Sequence, residues 1–234
     1  MSFLVAIPVY NEEAHAELVI DEILCCVRDI LVVDDGSTDR TPEILEEIAE
    51  HAPGLRVLRH SANLGYGRSL IDAFGYAIEN GYEHLITLDC DEQHEPADIL
   101  DFVMAGGAHD IVSGSRYHPE SHCEGVWAPA DRRRIGGEIT RRINDVTGYD
   151  LTDAFCGFKM YRVEALKALR LTEHSYGLPI QLWVQAWRAG LTVIEKPIAL
   201  KYLDALRTFG DELDDAETRL RYYHTIIDRE LAAD

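Results

Sequence analysis

The chain has 234 residues, 47% of them hydrophobic, with 22 Lys and Arg against 42 Asp and Glu, a formal charge of −20. That composition is far from disorder, and the length suits a single core, since cores stop growing at roughly 250–300 residues. A negative field of this size disfavours nucleic acid and anionic lipid, so a phosphorylated ligand needs a local basic patch or a cation to approach.

In chain order, residues 3–8 are apolar, end at Pro8 and read as a first strand. Ile20, Ile23, Leu24 and Val27 share one face of a helix. Ile30, Leu31, Val32 and Val33 form the continuous apolar run of a strand buried on both faces. Thr41 and Pro42 supply an N-cap and a first-turn proline for a helix carrying Ile44, Leu45 and Ile48. A strand over 55–59 follows, then a helical stripe of Leu70, Ile71, Phe74, Ala77 and Ile78 closed by Asn80 and Gly81. Residues 84–88 are a fourth strand. Pro96 opens a helix bearing Ile99, Leu100 and Val103, and residues 110–113 are a fifth strand. Residues 117–131 have no period and read as a loop, and 132–145 as a polar helix. Strands over 158–161 and 192–195 flank an all-round apolar helix over 176–189 that contains Trp183 and Trp187. A last helix uses Ala216, Leu220, Tyr223, Ile227 and Leu231.

Strands alternating with helices predict an α/β fold with a mostly parallel central sheet flanked by helices and a C-terminal helical elaboration. One domain over 1–234 is expected, in two halves, 1–117 and 118–234. No apolar run reaches the about 20 residues that span a bilayer. Five scattered cysteines without a CxxC pair give neither a zinc site nor a disulfide framework, which points to a reducing, cytoplasmic setting.

Several strand ends carry chemistry. Pro8, Val9, Tyr10, Asn11 and Glu12 form a strand-to-helix turn that suits either a ligand or a simple cap. Asp34, Asp35 and Asp39 crowd the end of the second strand, where carboxylates accept from a base or a ribose in nucleotide-binding sheets. Asn63, Leu64, Gly65, Tyr66 and Gly67 make a glycine-rich turn into a helix N-terminus; an anion site and an ordinary turn both fit it. Asp89 and Asp91, one residue apart and followed by Gln93, can turn toward one cation that offsets a diphosphate leaving group. Cys90 between them suits packing better than a hard cation. Arg132, Arg133 and Arg134, with Arg141 and Arg142, concentrate cations on one helix, either to clamp a phosphate or to pair along it as Glu138–Arg142 and Arg141–Asp145.

Taken in order, these segments resemble family 2 glycosyltransferases with the GT-A (Rossmann-like) fold, in particular dolichyl-phosphate mannosyltransferases and related polyprenyl-phosphate sugar transferases. The motifs are Pro8 to Glu12, Val33 to Asp39, Asn63 to Gly67, Asp89 to Pro96, Gly114 to Tyr117 and Asp153 to Lys159. The resemblance implies transfer of a hexose, with inversion, from GDP-mannose or a UDP-hexose to an acceptor such as a polyprenyl or dolichyl phosphate. Pro8, Tyr10, Asn11, Glu12, Asp35, Gly65, Asp89 and Cys90 would line the nucleotide-sugar pocket, with Asp35 on the base. Asp89, Asp91 and Gln93 would hold Mg2+ or Mn2+. Arg116 would support the diphosphate, Arg132, Arg133 and Arg134 would meet the acceptor phosphate, and Asp153 would sit at the reaction centre, as base if the acceptor is a hydroxyl. A lipid acceptor would place the chain peripherally at the inner membrane face, and an oligomer is compatible with this.

Three departures fall on the acceptor side. Gln181 stands where an acidic residue is expected, acids at Asp211 and Glu212 replace a Ser-Lys pair after Arg207, and no transmembrane segment follows. Two other readings use the same residues. A receiver-like phosphoacceptor domain would employ Asp34, Asp35, Asp89, Ser113 and Lys196, and a non-catalytic sugar-nucleotide binder would keep the pocket without turnover.

Overall fold

The computed structural model describes residues 2–125, 127–202 and 209–233. Its main sheet has the order β3-β2-β1-β4-β7-β5-β8. The strands are β1 (Phe3–Val9), β2 (Ile30–Asp34), β3 (Leu55–Arg59), β4 (His84–Thr87), β5 (Ile111–Ser115), β7 (Lys159–Arg162) and β8 (Val193–Pro197). Neighbours are parallel except at β7, which runs antiparallel between β4 and β5. Helices α1 (Ala16–Cys26), α2 (Thr41–His51) and α3 (Tyr66–Glu79) connect β1 to β4, and α4 (Ile99–Ala105) leads to β5. Beyond β5 come α5 (Ala130–Thr147), the single turn α6 (Val163–Leu166), α7 (Leu178–Arg188) and α8 (Ala216–Ala232).

The central strands bury both faces, as their unbroken apolar runs require. Leu4, Ala6, Leu31 and Val33 face a core shared with α3, α5, α7 and α8. Val5, Ile7, Ile30 and Val32 face the opposite core, shared with α1, α2 and α4. The period of two thus sends alternate residues of one strand into different cores, and each fully buried Leu, Val or Ile contributes roughly 1.5–3 kcal/mol. The chain steps outward from β1 to β2 to β3 and then returns to β4 on the other side of β1. That reversal leaves a crevice at the C-terminal ends of β1 and β4, where open α/β sheets bind their ligands.

Four expectations change. The loop over 117–131 contains β6 (Cys123–Gly125), paired in parallel with β9 (Leu200–Tyr202); three-residue strands are too short to show a period. Thr41 does not cap α2, because its hydroxyl accepts the Glu12 amide at 2.9 Å. Trp183 is fully buried, but Trp187 is 39% exposed, so α7 keeps a wet edge. On α5 the helical pairs Glu138–Arg142 and Arg141–Asp145 are replaced by Arg134–Glu138 at 3.9 Å and by an ion pair from Arg142 to Asp228 on α8. Ile135, Ile139 and Ile143 form the buried face of α5, which brings its polar flank against α8. Arg207 and Thr208 lie outside the described residues.

Candidate active site

The crevice opens into a cleft of about 2000 Å³. Typical small-molecule pockets are ~300–1,000 Å³, so two substrates fit side by side.

One wall comes from the ends of β1 and β2 and from the loop before α3. Pro8, Tyr10, Asn11, Glu12, Asp35 and Gly65 all line the cleft. Asn11 sits at φ 54°, a conformation that asparagine tolerates better than most residues. Its amide donates to Ser37 Oγ at 2.9 Å, and its Oδ1 accepts from the Thr38 amide at 2.8 Å, which locks the two turns together. Asp34 is fully buried, accepts from the Ser37 amide at 2.9 Å and pairs with Arg59 at 3.1 Å, so it serves the turn and not the cleft. Asp35 accepts from the Leu64 and Gly65 amides, each at 2.8 Å. Gly65 has φ 102°, and a Cβ there would lie 2.3 Å from the His174 carbonyl oxygen, so glycine alone fits this bend.

The acidic loop after β4 forms the floor. Asp89, Cys90, Asp91 and Gln93 line the cleft, Cys90 while packed in the core at 2% exposure. Asp89 is fixed by its neighbours. The Tyr66 hydroxyl donates to Oδ1 at 3.0 Å, and the Asp89 amide donates to His94 Nδ1 at 3.1 Å. Burial and the Asp89 charge push the Tyr66 phenol well up, which keeps it a donor. Burial pulls His94 below the usual imidazole value against the opposing carboxylates of Asp89 and Asp91. The Asp91 Oδ1 accepts from the Gln93 amide at 3.2 Å. Glu92, at φ 57°, reaches His15 Nδ1 at 2.7 Å and staples the loop to the start of α1.

Gly157 makes room for Asp89, since a Cβ there would lie 2.2 Å from Asp89 Oδ2. A displaced catalytic group can cost about 10²-fold per ångström. Gly157→Ala should therefore lower kcat/KM by roughly that factor while the far-UV circular dichroism stays unchanged. Equal kcat/KM in this variant would show that the Asp89 position is not critical.

Arg116 and Asp153 also line the cleft and form a bidentate pair, with Nε–Oδ2 at 2.7 Å and Nη2–Oδ1 at 3.0 Å. Asp153 is 2% exposed. Burial alone would raise its carboxyl, but the Arg116 guanidinium holds it below the usual carboxylate value. Burial likewise opposes the Arg116 charge, and Asp153 more than offsets it. Glu195, on β8, holds this loop from behind. It accepts from the Thr152 amide at 2.8 Å, the Thr152 hydroxyl at 2.6 Å and the Asp153 amide at 3.0 Å. Buried Lys159 donates to the Cys156 carbonyl and lies 5.4 Å from the centre of the Trp183 ring.

The opposite wall carries the arginines of α5. Arg132 and Arg133 line the cleft, over the rings of Phe209 (4.5 Å) and Trp127 (5.8 Å). Arg134 does not join them; it pairs with Glu217 on α8 at 2.5 Å. Arg219 packs on Phe209 at 4.4 Å and pairs with Asp131 at 2.6 Å. Gln181, on α7, is buried against the segment before that helix and the end of α8. Its Oε1 accepts from the Thr172 and Glu173 amides, while its Nε2 donates to the Thr172 hydroxyl and to Glu230 at 2.7 Å. A glutamate there could accept but not donate, and it would face Glu230 as a like charge.

Among the described residues, no three or more His, Cys, Asp and Glu side chains converge into a metal cluster. From the acidic loop, Asp89, Asp91 and Gln93 line the cleft and supply carboxylate and amide oxygens. This oxygen set fits a hard divalent ion that takes its other ligands from a diphosphate and water, as Mg2+ sites commonly do.

Residues 4–170 match the model of glycosyl transferase family 2. The chain belongs to that family. It is an enzyme with the GT-A fold, related to polyprenyl-phosphate sugar transferases. The undecaprenyl-phosphate mannosyltransferase of Micrococcus luteus is 32% identical over 205 residues, 85% of this chain and 83% of that protein. The polyprenol monophosphomannose synthase of Mycolicibacterium smegmatis is 31% identical, over 83% of this chain and 76% of that protein. Among solved structures, glucosyl-3-phosphoglycerate synthase from Mycobacterium tuberculosis, in complex with Mn2+, UDP and glucosyl-3-phosphoglycerate, superposes with a TM-score of 0.71. It covers all of this glycosyltransferase and 81% of that chain at 21% identity, a likeness of fold.

Family membership removes the phosphoacceptor and non-catalytic readings. The receiver-like residues are also engaged elsewhere: the Lys196 ammonium lies 3.9 Å from Asp101, and the Ser113 hydroxyl donates to the Gly114 carbonyl. Sequence reasoning gave no role to Glu195 or His60, and named Tyr66 only as part of the glycine-rich turn. The Glu195-Lys196-Pro197 segment at a strand end was the available signal for the first.

Proposed function

We propose that this glycosyltransferase moves a hexose from GDP-mannose or a UDP-hexose to a polyprenyl or dolichyl phosphate, with Mg2+ or Mn2+ at Asp89, Asp91 and Gln93. One observation carries the reading: a single cleft is lined by the nucleotide turns, by the acidic loop and, across from them, by Arg132 and Arg133. The relatives named for undecaprenyl-phosphate and polyprenol mannosyl transfer support it. Among the described residues no helix is long and apolar enough to cross a membrane, so a lipid acceptor would be met peripherally, at the cytoplasmic face.

In this reading Pro8, Tyr10, Asn11, Glu12, Asp35 and Gly65 hold the nucleoside. The bound cation would neutralise charge on the departing diphosphate. Arg116 supports that diphosphate from the Asp153 side. Asp153 is a poor general base, because both its oxygens already accept from Arg116 and its carboxyl is held low. A phosphate acceptor brings its own anionic oxygen and needs no base, which favours it over a sugar hydroxyl. Arg132 and Arg133 orient that phosphate.

A thermal-shift panel of UDP-, GDP- and dTDP-sugars with and without Mn2+ tests the donor side. One base should stabilise the protein selectively and only with Mn2+, by about 2.7 kcal/mol at a hundredfold excess over Kd. Equal shifts for all, or shifts indifferent to Mn2+, would count against it. On the acceptor side, Arg133→Ala should raise the KM for polyprenyl phosphate by about tenfold, a charge-assisted contact at the low end, and leave the donor KM nearly constant. The reverse pattern would move α5 to the donor side.

A further inference from the structure

Asp35 is wired to two residues that the function above does not employ. His60, just past β3, places Nδ1 2.6 Å from Asp35 Oδ1 and Nε2 2.9 Å from Asp72 Oδ2 on α3. Its side chain is 6% exposed. Asp72 is in turn held by Arg68, at 2.8 Å from Nε and 2.7 Å from Nη2. A neutral imidazole has one donor nitrogen and one lone pair. With an acceptor-only carboxylate at each nitrogen, a neutral ring would aim its lone pair at an oxygen. The shared proton has two other places to go, and both are disfavoured. Asp35 already accepts two amide N–H groups and Asp72 a guanidinium, so a proton on either carboxyl would crowd oxygens that already face donors. Arg68, Asp72, His60 and Asp35 then alternate in charge along one line that runs from the half-exposed Arg68 to the buried Asp35.

The same bonds decide what Asp35 offers the cleft. Two carboxylate oxygens provide about four lone-pair sites. Oδ1 accepts from the Leu64 amide and His60, and Oδ2 from the Gly65 amide. Among the described residues one acceptor position remains, on Oδ2, in a residue that lines the cleft.

We propose that His60 is a positioning residue of the nucleotide site: as an imidazolium clamped between Asp35 and Asp72, it fixes the Asp35 carboxylate with one open acceptor position for an N–H or O–H donor of the nucleoside. The inference rests on the nucleotide-sugar reading of the cleft. His60 touches no substrate and acts through Asp35.

Two measurements test it. In the full chain at pH 7, long-range 1H–15N spectra should show both ring nitrogens of His60 protonated, with the resonance assigned by its loss in His60→Gln. Titration with UDP and GDP in the presence of Mn2+ should show the preferred nucleotide binding about tenfold more weakly to His60→Gln, the loss of one charge-assisted contact. Asp72→Asn, which leaves Asp35 and its amide partners in place, should weaken binding in the same direction. With donor saturating, kcat in both variants should stay near wild type while the donor KM rises. A neutral ring in the wild-type spectrum overturns the charge assignment, and wild-type affinity in a folded His60→Gln overturns the positioning role. Wild-type protein that shows the doubly protonated ring yet binds neither UDP nor GDP overturns the nucleotide reading instead.

Discussion

Asp91→Ala should lower metal-dependent kcat/KM by about 10²–10³-fold, the range lost when one preorganised electrostatic contact is removed. The variant should fold normally. Asp91 is half-buried, and its Oδ1 accepts from the Gln93 amide within the same loop. Mn2+ should no longer sharpen nucleotide binding in calorimetric titrations. Asp89→Ala should lose as much activity and more stability, because Tyr66 would lose the acceptor for its buried hydroxyl. Unchanged Mn2+-dependent turnover in Asp91→Ala would remove the acidic loop from the chemistry.

The second large effect is on stability. Arg116→Ala leaves Asp153, 2% exposed, as an unpaired buried charge, and breaking a buried pair in this way costs about 3–5 kcal/mol. Replacing both partners, with Arg116→Met and Asp153→Leu, should recover most of that stability and none of the activity. Urea denaturation followed beside kcat separates the two effects. The pH dependence has a definite sign. The Asp153 carboxyl is held below its ordinary value of 3.8, so the pair's contribution is complete above that value and is lost as the pH falls toward the lower folded one. In Arg116→Ala burial acts without its counterweight, so the acid loss of stability should begin at a higher pH than in wild type. Superimposable acid-unfolding curves would contradict the pairing.

Much of the cleft could be read from strand ends. The run from Ile30 to Val33 announced a strand buried on both sides, and the acids that follow it had to sit at an open sheet edge. That Asp89, Asp91 and Gln93 line the cleft was legible because they follow the short apolar strand expected over 84–88. What stayed hidden depends on chain reversal. The antiparallel β7 enters between β4 and β5 from sequence some 70 residues away from β4, and no local pattern encodes such an insertion. Only the fold puts Glu195 behind Asp153 and Asp72 behind His60. Arg134 differs from Arg132 and Arg133 only by its angle around α5, and that angle turns it toward Glu217. Gln181 looked like a departure within the acceptor site, whereas its amide satisfies a buried network that a carboxylate could not.

The most direct test is anomalous diffraction at the manganese edge from crystals grown with Mn2+ and the nucleotide-sugar that the thermal-shift panel selects. One strong peak is expected between the carboxylates of Asp89 and Asp91 and the donor diphosphate, with the nucleoside against Asp35. A donor bound in the cleft with manganese elsewhere, and both carboxylates turned to solvent, would contradict it.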